Sequence, residues 1–278
     1  MKRRFHQLDV FSAVPLKGNP LAVVHAAQSL SDNTMAAFAR WTNLSETTFL
    51  LPPRTPEADY RVRIWTPGGE LPFAGHPTLG SCHAWLAAGG VPWQAGTVVQ
   101  ECDVGLVRLR QAGGRLAFAA PPLRRTGPLD APLLQRITAG LGLVADDIQH
   151  HQWVDNGPGW CAVMLRSAAQ VLAVRPDAAL LGDVKLGLVG AHPPGSECAF
   201  ELRALYREPK GLVEDPVTGS LNASVAQWLT GAGLAPASYV AAQGAVLQRA
   251  GRVFIDTIGD TVWVGGDVAV CIEGEVDL

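Results

Sequence analysis

Lysine is scarce in this chain, with four residues, at 2, 17, 185 and 210. None stands in a motif that could open a helix, which argues against an enzyme that holds its cofactor as a lysine Schiff base. No G-x-G-x-x-G fingerprint and no P-loop lysine is present, so dinucleotides and nucleoside triphosphates lack their usual cradle. There is no basic surplus: the net charge is -3 and the pI about 6.2. A nucleic-acid binder needs a basic face to displace counterions, and small substrates are the better expectation. The five cysteines, at 82, 102, 161, 198 and 271, form no C-x-x-C pair. No His/Cys/Asp set has the spacing of a zinc site, so neither a metal nor an organic cofactor is expected. No apolar run is long enough to cross a bilayer. The start, MKRRFHQLDVF, is basic, but His6, Gln7 and Asp9 interrupt the apolar stretch that a signal peptide needs. The reading is a cytoplasmic protein with reduced core thiols and no membrane association.

What is present is a composition suited to a large core: 278 residues, 48% hydrophobic and 17% charged, with mean hydropathy +0.15. The chain also repeats itself. HPTLGS (76–81) aligns with DPVTGS (215–220), and at the same offset GNPLAVV (18–24) falls on GPGWCAV (157–163). Duplication implies two similar domains, here 1–120 and 121–261, split at the proline-rich APPLRRTGPLDAP, with a C-terminal strand near 262–278 returning to the first. FHQLDVF, LAVVHA, ETTFLL and DYRVRIWT read as strands, and TVVQEC, GLVRLR and RLAFAA as a meander. SDNTMAAFARW reads as a helix capped by Ser31. WCAVML and ECAFELRALY repeat the strand theme, and His150-His151 reads as a solvated loop pair. Each half is therefore mixed α+β with mostly antiparallel pairing. One helix in each half, expected over 77–88 and 216–230, is nearly apolar all round and belongs inside a curved sheet.

Both of these helices are expected to open with a polar group, a proline and small residues. Proline suits a first helical position because its missing N–H has no helical partner there. The free first-turn N–H groups and the macrodipole suit an anion, and Gly75, Gly219 and Ser220 let ligand atoms approach. Ordinary capping, with Asp215 as N-cap, explains the same residues. Glu46, at the entrance of an apolar strand, is either a salt-bridged strand-end carboxylate or a base whose pKa burial raises toward neutrality. His76 is either a structural turn histidine or a substrate contact and proton carrier.

QLDVFSAVPLKGNPLAVV (7–24), NLSETTFLLPP (43–53), WTPGGELPFAGHPTLGSCHAWL (65–86), EDPVTGSLNASVAQWL (214–229) and QGAVLQR (243–249) together resemble the phenazine-biosynthesis PhzF family, on the diaminopimelate epimerase-like fold. The resemblance implies two pseudo-symmetric domains, each a curved, barrel-like, mostly antiparallel sheet around a central helix, with the site in the cleft between them. It implies an isomerase, without cofactor, that moves a proton between carbons of a small carboxylic acid. Glu46 is then the catalytic acid and base, and His76 and Asp215 assist. Ser45, Gly75, Gly219 and Ser220 receive the substrate carboxylate, and the assembly is a homodimer. Related racemases on this fold use two cysteines at the helix mouths; Gly75-His76 and Asp215-Pro216 stand there instead. The alternatives are an epimerase or racemase of an amino-acid-like substrate and a non-catalytic binder of small acids. Two departures from the family pattern are Leu221-Asn222, expected to alter the pocket, and Gln248 in place of a glycine before Arg249.

Overall fold

The computed structural model describes residues 1–208 and 211–278, so Lys210 lies outside the described residues. The first elements are β1 (Lys2–Val10), β2 (Asn19–Val24), α1 (Asp32–Thr42), β3 (Glu46–Leu51), β4 (Tyr60–Thr66), β5 (Gly69–Leu71), α2 (Gly75–Ala87), β6 (Thr97–Cys102), β7 (Gly105–Ala112) and β8 (Arg115–Ala119). There follow α3 (Ala131–Gly140), β9 (Ile148–Trp153), β10 (Trp160–Leu165), α4 (Ala168–Ala173), α5 (Ala178–Leu181), β11 (Lys185–Ala191), β12 (Phe200–Glu208) and β13 (Gly211–Asp215). The last are α6 (Gly219–Gly231), β14 (Ser238–Gln243), β15 (Gly251–Ile258), β16 (Thr261–Gly266) and β17 (Val268–Asp277). They form two compact units, Met1–Ala119 with Gly265–Leu278, and Ala120–Val264.

In the first unit the strands lie side by side in the order β17-β1-β2-β3-β4-β6-β7-β8, with β5 paired to β4. The pairs β2–β3 and β4–β6 are parallel and the others antiparallel. The second unit repeats this: β9-β10-β11-β12-β14-β15 with β13 on β12, and β10–β11 and β12–β14 parallel. Each parallel pair needs a crossover: α1 connects β2 to β3 and α4 with α5 connect β10 to β11, while α2 follows β5 between β4 and β6 and α6 follows β13 between β12 and β14. The fold is α+β, with open curved sheets rather than closed barrels.

Local chemistry explains the elements. The Ser31 hydroxyl accepts from Thr34 N and starts α1, which ends at Asn43 in the left-handed conformation (φ 53°). Met35, Phe38 and Ala39 pack on Phe49 and Leu51 of β3. Tyr60, Val62 and Ile64 alternate inward with Arg61 and Arg63 less buried. Helix α2 is buried along Gly75–Cys82 and packs on β1, β2, β3, β4, β6 and β8, so the sheet must curve around it. Close approach explains two glycines. A Cβ at Gly80 would stand 2.5 Å from Leu21 Cδ2, and one at Gly187 would stand 2.6 Å from Leu221 Cδ1 of α6.

A bidentate ion pair recurs with the repeat. Arg63 Nε and Nη2 donate to Glu70 of β5 at 2.6 and 2.7 Å. In the second unit Arg203 Nε and Nη2 donate to Glu214 of β13 at 3.0 and 2.8 Å. Each arginine therefore ties its short strand to its neighbour, β5 to β4 and β13 to β12.

Three expectations change. The repeat is real but its register differs: Gly75 and Gly219 open the two central helices 144 positions apart, and each helix has 13 residues. His76 thus matches Ser220 rather than Asp215. Matching Gly/Pro dipeptides misled the alignment because such turns recur wherever a strand meets a helix. Second, neither proline is at a first helical position. Pro77 is third in α2, and Pro216 precedes α6, whose N-cap is Thr218. All first-turn N–H groups lack helical partners, so Pro77 is tolerated there as well. Third, His150 and His151 lie on β9, paired with β10, and His151 Nδ1 accepts from Leu129 N at 3.1 Å.

Candidate active site

In the first unit the loop from Asn43 delivers the half-buried Ser45 and then Glu46 to the start of β3, beside Leu21 of β2. His76 is the second residue of α2. Its Nε2 stands 3.4 Å from Glu46 Oε2, the side chains being 5% and 15% exposed. On the other ring edge Asn19 Nδ2 is 3.4 Å from His76 Nδ1. Burial lowers the His76 pKa to about 3, against the opposing pull of its hydrogen bond with the Pro20 carbonyl, so the ring is neutral at physiological pH. A neutral imidazole facing a carboxyl group at this distance suits a pair that passes a proton.

The geometry is anchored from behind. Ser81 Oγ donates to Thr48 Oγ1 at 2.9 Å, joining α2 to β3 one turn from the pair. Tyr60 OH donates to Gln100 Oε1 at 2.8 Å, and Gln100 Nε2 donates to Thr78 Oγ1 at 3.0 Å. At the neighbouring loop, Asp9 Oδ2 accepts from Gly18 N at 2.7 Å, and a Cβ on Gly18 would collide with the Val10 carbonyl. The α2 N-cap, Ala74, has no capping side-chain bond, so Gly75 opens a first turn suited to an anion.

In the second unit Asp215 ends β13 and does not cap α6. Its Oδ2 accepts from Thr218 Oγ1 at 2.5 Å. Gln243 organises this mouth. Its Oε1 accepts from Thr218 N at 3.0 Å and Asn222 Nδ2 at 2.8 Å. Its Nε2 donates to the Asp215 carbonyl and to Thr218 Oγ1, each at 3.0 Å. Gly219 then opens the helix, again without a side-chain cap. Ser220 Oγ accepts from Trp160 Nε1 at 3.0 Å, and its carbonyl accepts from Asn156 Nδ2 at 2.9 Å.

The structure thus brings together Ser45, Glu46, Gly75 and His76 in one unit, and Asp215, Gly219 and Ser220 in the other. Sequence reading passed over Asn19, Gln100 and Gln243. The available signal was a lone amide in an apolar strand, which must find partners once buried. Leu221 and Asn222 are both buried, Leu221 against Gly187 and Asn222 on Gln243. Gln248 takes φ 60°, a left-handed position where glycine is the unstrained choice.

The cysteines do not offer a thiol pair. All five are free; Cys82 lies inside α2 with its pKa pushed far up by burial, and burial raises Cys161 to about 12. Among the described residues no group of three or more His, Cys, Asp or Glu could hold a metal ion. No helix among them is long and apolar enough to cross a membrane.

Two mixed sheets of matching topology, each followed by a buried helix with an uncapped start, define an α+β protein of the diaminopimelate epimerase-like class. The chain belongs to the family described as Phenazine biosynthesis-like protein (PhzC-PhzF), whose profile matches residues 8–274. Antisense-enhancing sequence 1 of Schizosaccharomyces pombe is 33% identical over 98% of this chain and 97% of its own. Trans-2,3-dihydro-3-hydroxyanthranilate isomerase of Pseudomonas aeruginosa is 34% identical over 78% of this chain and 76% of its own. The solved structure of a predicted epimerase from Pseudomonas aeruginosa is 30% identical, covers 99% of each chain and has a TM-score of 0.78.

Proposed function

We propose that the protein is an isomerase that moves a proton between two carbons of a small carboxylic acid by general acid–base catalysis, without metal or organic cofactor. The observation that carries this is Glu46 Oε2 facing the neutral His76 ring at 3.4 Å beside an uncapped helix start. Glu46 takes the proton from one carbon and returns it to another, while His76 fixes the carboxyl group. Asp215 assists as a second polar group, held by the Thr218 hydroxyl. The substrate carboxylate is received by first-turn N–H groups, those at Gly75 with Ser45 and those at Gly219 and Ser220. The substrate class follows the named relative: an unsaturated cyclic acid such as trans-2,3-dihydro-3-hydroxyanthranilate. The protein works in the cytoplasm as a homodimer.

The test is solvent deuterium incorporation into trans-2,3-dihydro-3-hydroxyanthranilate and into a panel of amino-acid-like acids. Glu46→Gln keeps the shape and removes the base; exchange should fall roughly 100-fold or more, the scale of general acid–base catalysis. Exchange by the variant at near wild-type rate would place the base elsewhere. Carboxylate binding without exchange in the wild type would make the protein a binder. Exchange confined to the α-carbon of amino acids would make it an epimerase.

A further inference from the structure

The second unit contains a hollow of about 330 Å³ that none of the residues above explains except at its edge. Its lining includes His192, Glu197, Cys198, Glu201, Arg249 and Arg252. Glu201, on β12, is 2% exposed. Its Oε2 lies 3.1 Å from His192 Nε2, while its buried Oε1 has no hydrogen-bond partner. A buried acceptor left without a donor is costly, and more so for a charged group, so it signals a donor supplied from outside. Burial raises the Glu201 pKa, with His192 opposing, which agrees with a carboxyl group whose charge is under-compensated.

The internal repeat gives a contrast at the matching strand pair. Arg61 of β4 pairs with Glu101 of β6 across the parallel contact; in the second unit Glu201 of β12 stands where Arg61 does and Ala242 of β14 where Glu101 does. In the first unit both oxygens of Glu101 are occupied, by Arg54 N and Arg54 Nε, each at 2.6 Å. In the second, the partner strand offers only the small Ala242, which itself lines the hollow. In the first unit the carboxylate of this strand pair is closed by Arg54; in the second it lies on the other strand, and both it and Ala242 border the open volume. The rim of the hollow is cationic: Arg252 spans to the exposed Glu197 at 3.2 Å, and Arg249 lies alongside.

We propose that this hollow, built within the second unit, is a further ligand site for a small zwitterion of the amino-acid class. Its ammonium group donates to Glu201 Oε1 on the floor and its carboxylate faces Arg249 and Arg252. His192 holds the other carboxylate oxygen, so that only Oε1 is presented. The inference does not depend on the chemistry assigned to Glu46.

The test is amide chemical-shift titration of the full-length, isotope-labelled protein with glycine, ethylamine and acetate at fixed pH and ionic strength. Glycine should give saturable shifts at Cys198, Glu201 and Arg252, with ethylamine weaker and acetate without effect there. Glu201→Gln should weaken glycine roughly tenfold or more, the scale of a lost charge-assisted hydrogen bond. Arg252→Gln, at the exposed rim, should weaken glycine but leave ethylamine unchanged. Glu46→Gln should leave glycine titration unchanged. Absence of saturable shifts at these amides, equal response to acetate, or the same affinity in a folded Glu201→Gln protein would overturn the proposal. Should Glu201→Gln fail to fold, the Arg252→Gln contrast between glycine and ethylamine decides alone.

Discussion

At the scale of single residues, His76 makes a pH-dependent contribution whose sign follows from its burial. The unfolded chain takes up the ring proton near 6.5 and the folded chain only near 3. Between these values the unfolded state holds more protons, so acid favours unfolding. The stability tied to the neutral ring is complete above about pH 6.5 and is lost as pH falls toward 3. His6 and His25 are lowered too, by burial first, His25 to about 4, so the variant must be compared with the wild type rather than read alone. His76→Gln should flatten the dependence of unfolding free energy on pH between 6 and 4 by up to about 1.4 kcal/mol per pH unit. Urea denaturation at several pH values measures it; parallel curves would mean that the ring is not buried neutral. Gln248 offers a second residue-scale test. Its left-handed backbone costs a non-glycine residue about 1–2 kcal/mol, part of which glycine returns as chain entropy. Gln248→Gly should therefore stabilise by roughly 0.5–1 kcal/mol, seen as a raised denaturation midpoint.

At the scale of elements, the duplicated ion pair separates burial from charge. Arg203 and Glu214 are 3% and 10% exposed; Arg63 and Glu70 are 20% and 25% exposed. The chemistry and geometry match, so the difference in cost should come from solvent. Glu214→Gln strips charge compensation from a buried guanidinium that also donates to the Val171 and Val174 carbonyls, and should cost about 3–5 kcal/mol. Glu70→Gln leaves Arg63 paired to Asp32 at 2.6 Å and should cost about 1 kcal/mol or less. Equal losses by chemical denaturation would contradict this ranking. The central helices were legible as elements because α2 and α6 lack a polar face. Their starts were not, because the sequence offers several small residues and two prolines, and cap choice depends on partners such as Gln243, 25 positions beyond Thr218.

At the scale of the whole chain, the C-terminal strand belongs with the N-terminal one. β17 pairs antiparallel with β1 from Lys2↔Asp277 to Val10↔Val268. The terminal ammonium lies 2.6 Å from Asp277 Oδ1 and donates to the Leu278 carbonyl at 2.9 Å. A permuted chain that links Leu278 to Met1 through a short glycine linker and opens at the Gly113–Gly114 hairpin turn keeps these pairings local. It should fold cooperatively with a melting temperature within a few degrees of the parent. Loss of a cooperative transition would show that the original chain order is needed to assemble the first unit.

Periodicity and turn chemistry, which are local, determined most strands, the α1 cap at Ser31, the two buried helices and the existence of a repeat. The motifs that carry the family resemblance also singled out Glu46 and His76. The tertiary structure decided the register of the repeat, because strand pairing, not Gly/Pro matching, fixes which residues are equivalent. It decided that Asp215 ends a strand and accepts from Thr218, and that Leu221 and Asn222 point inward. It alone shows His76 desolvated and set 3.4 Å from Glu46, since 30 positions of chain separate them and only the packing of α2 on β3 closes that distance.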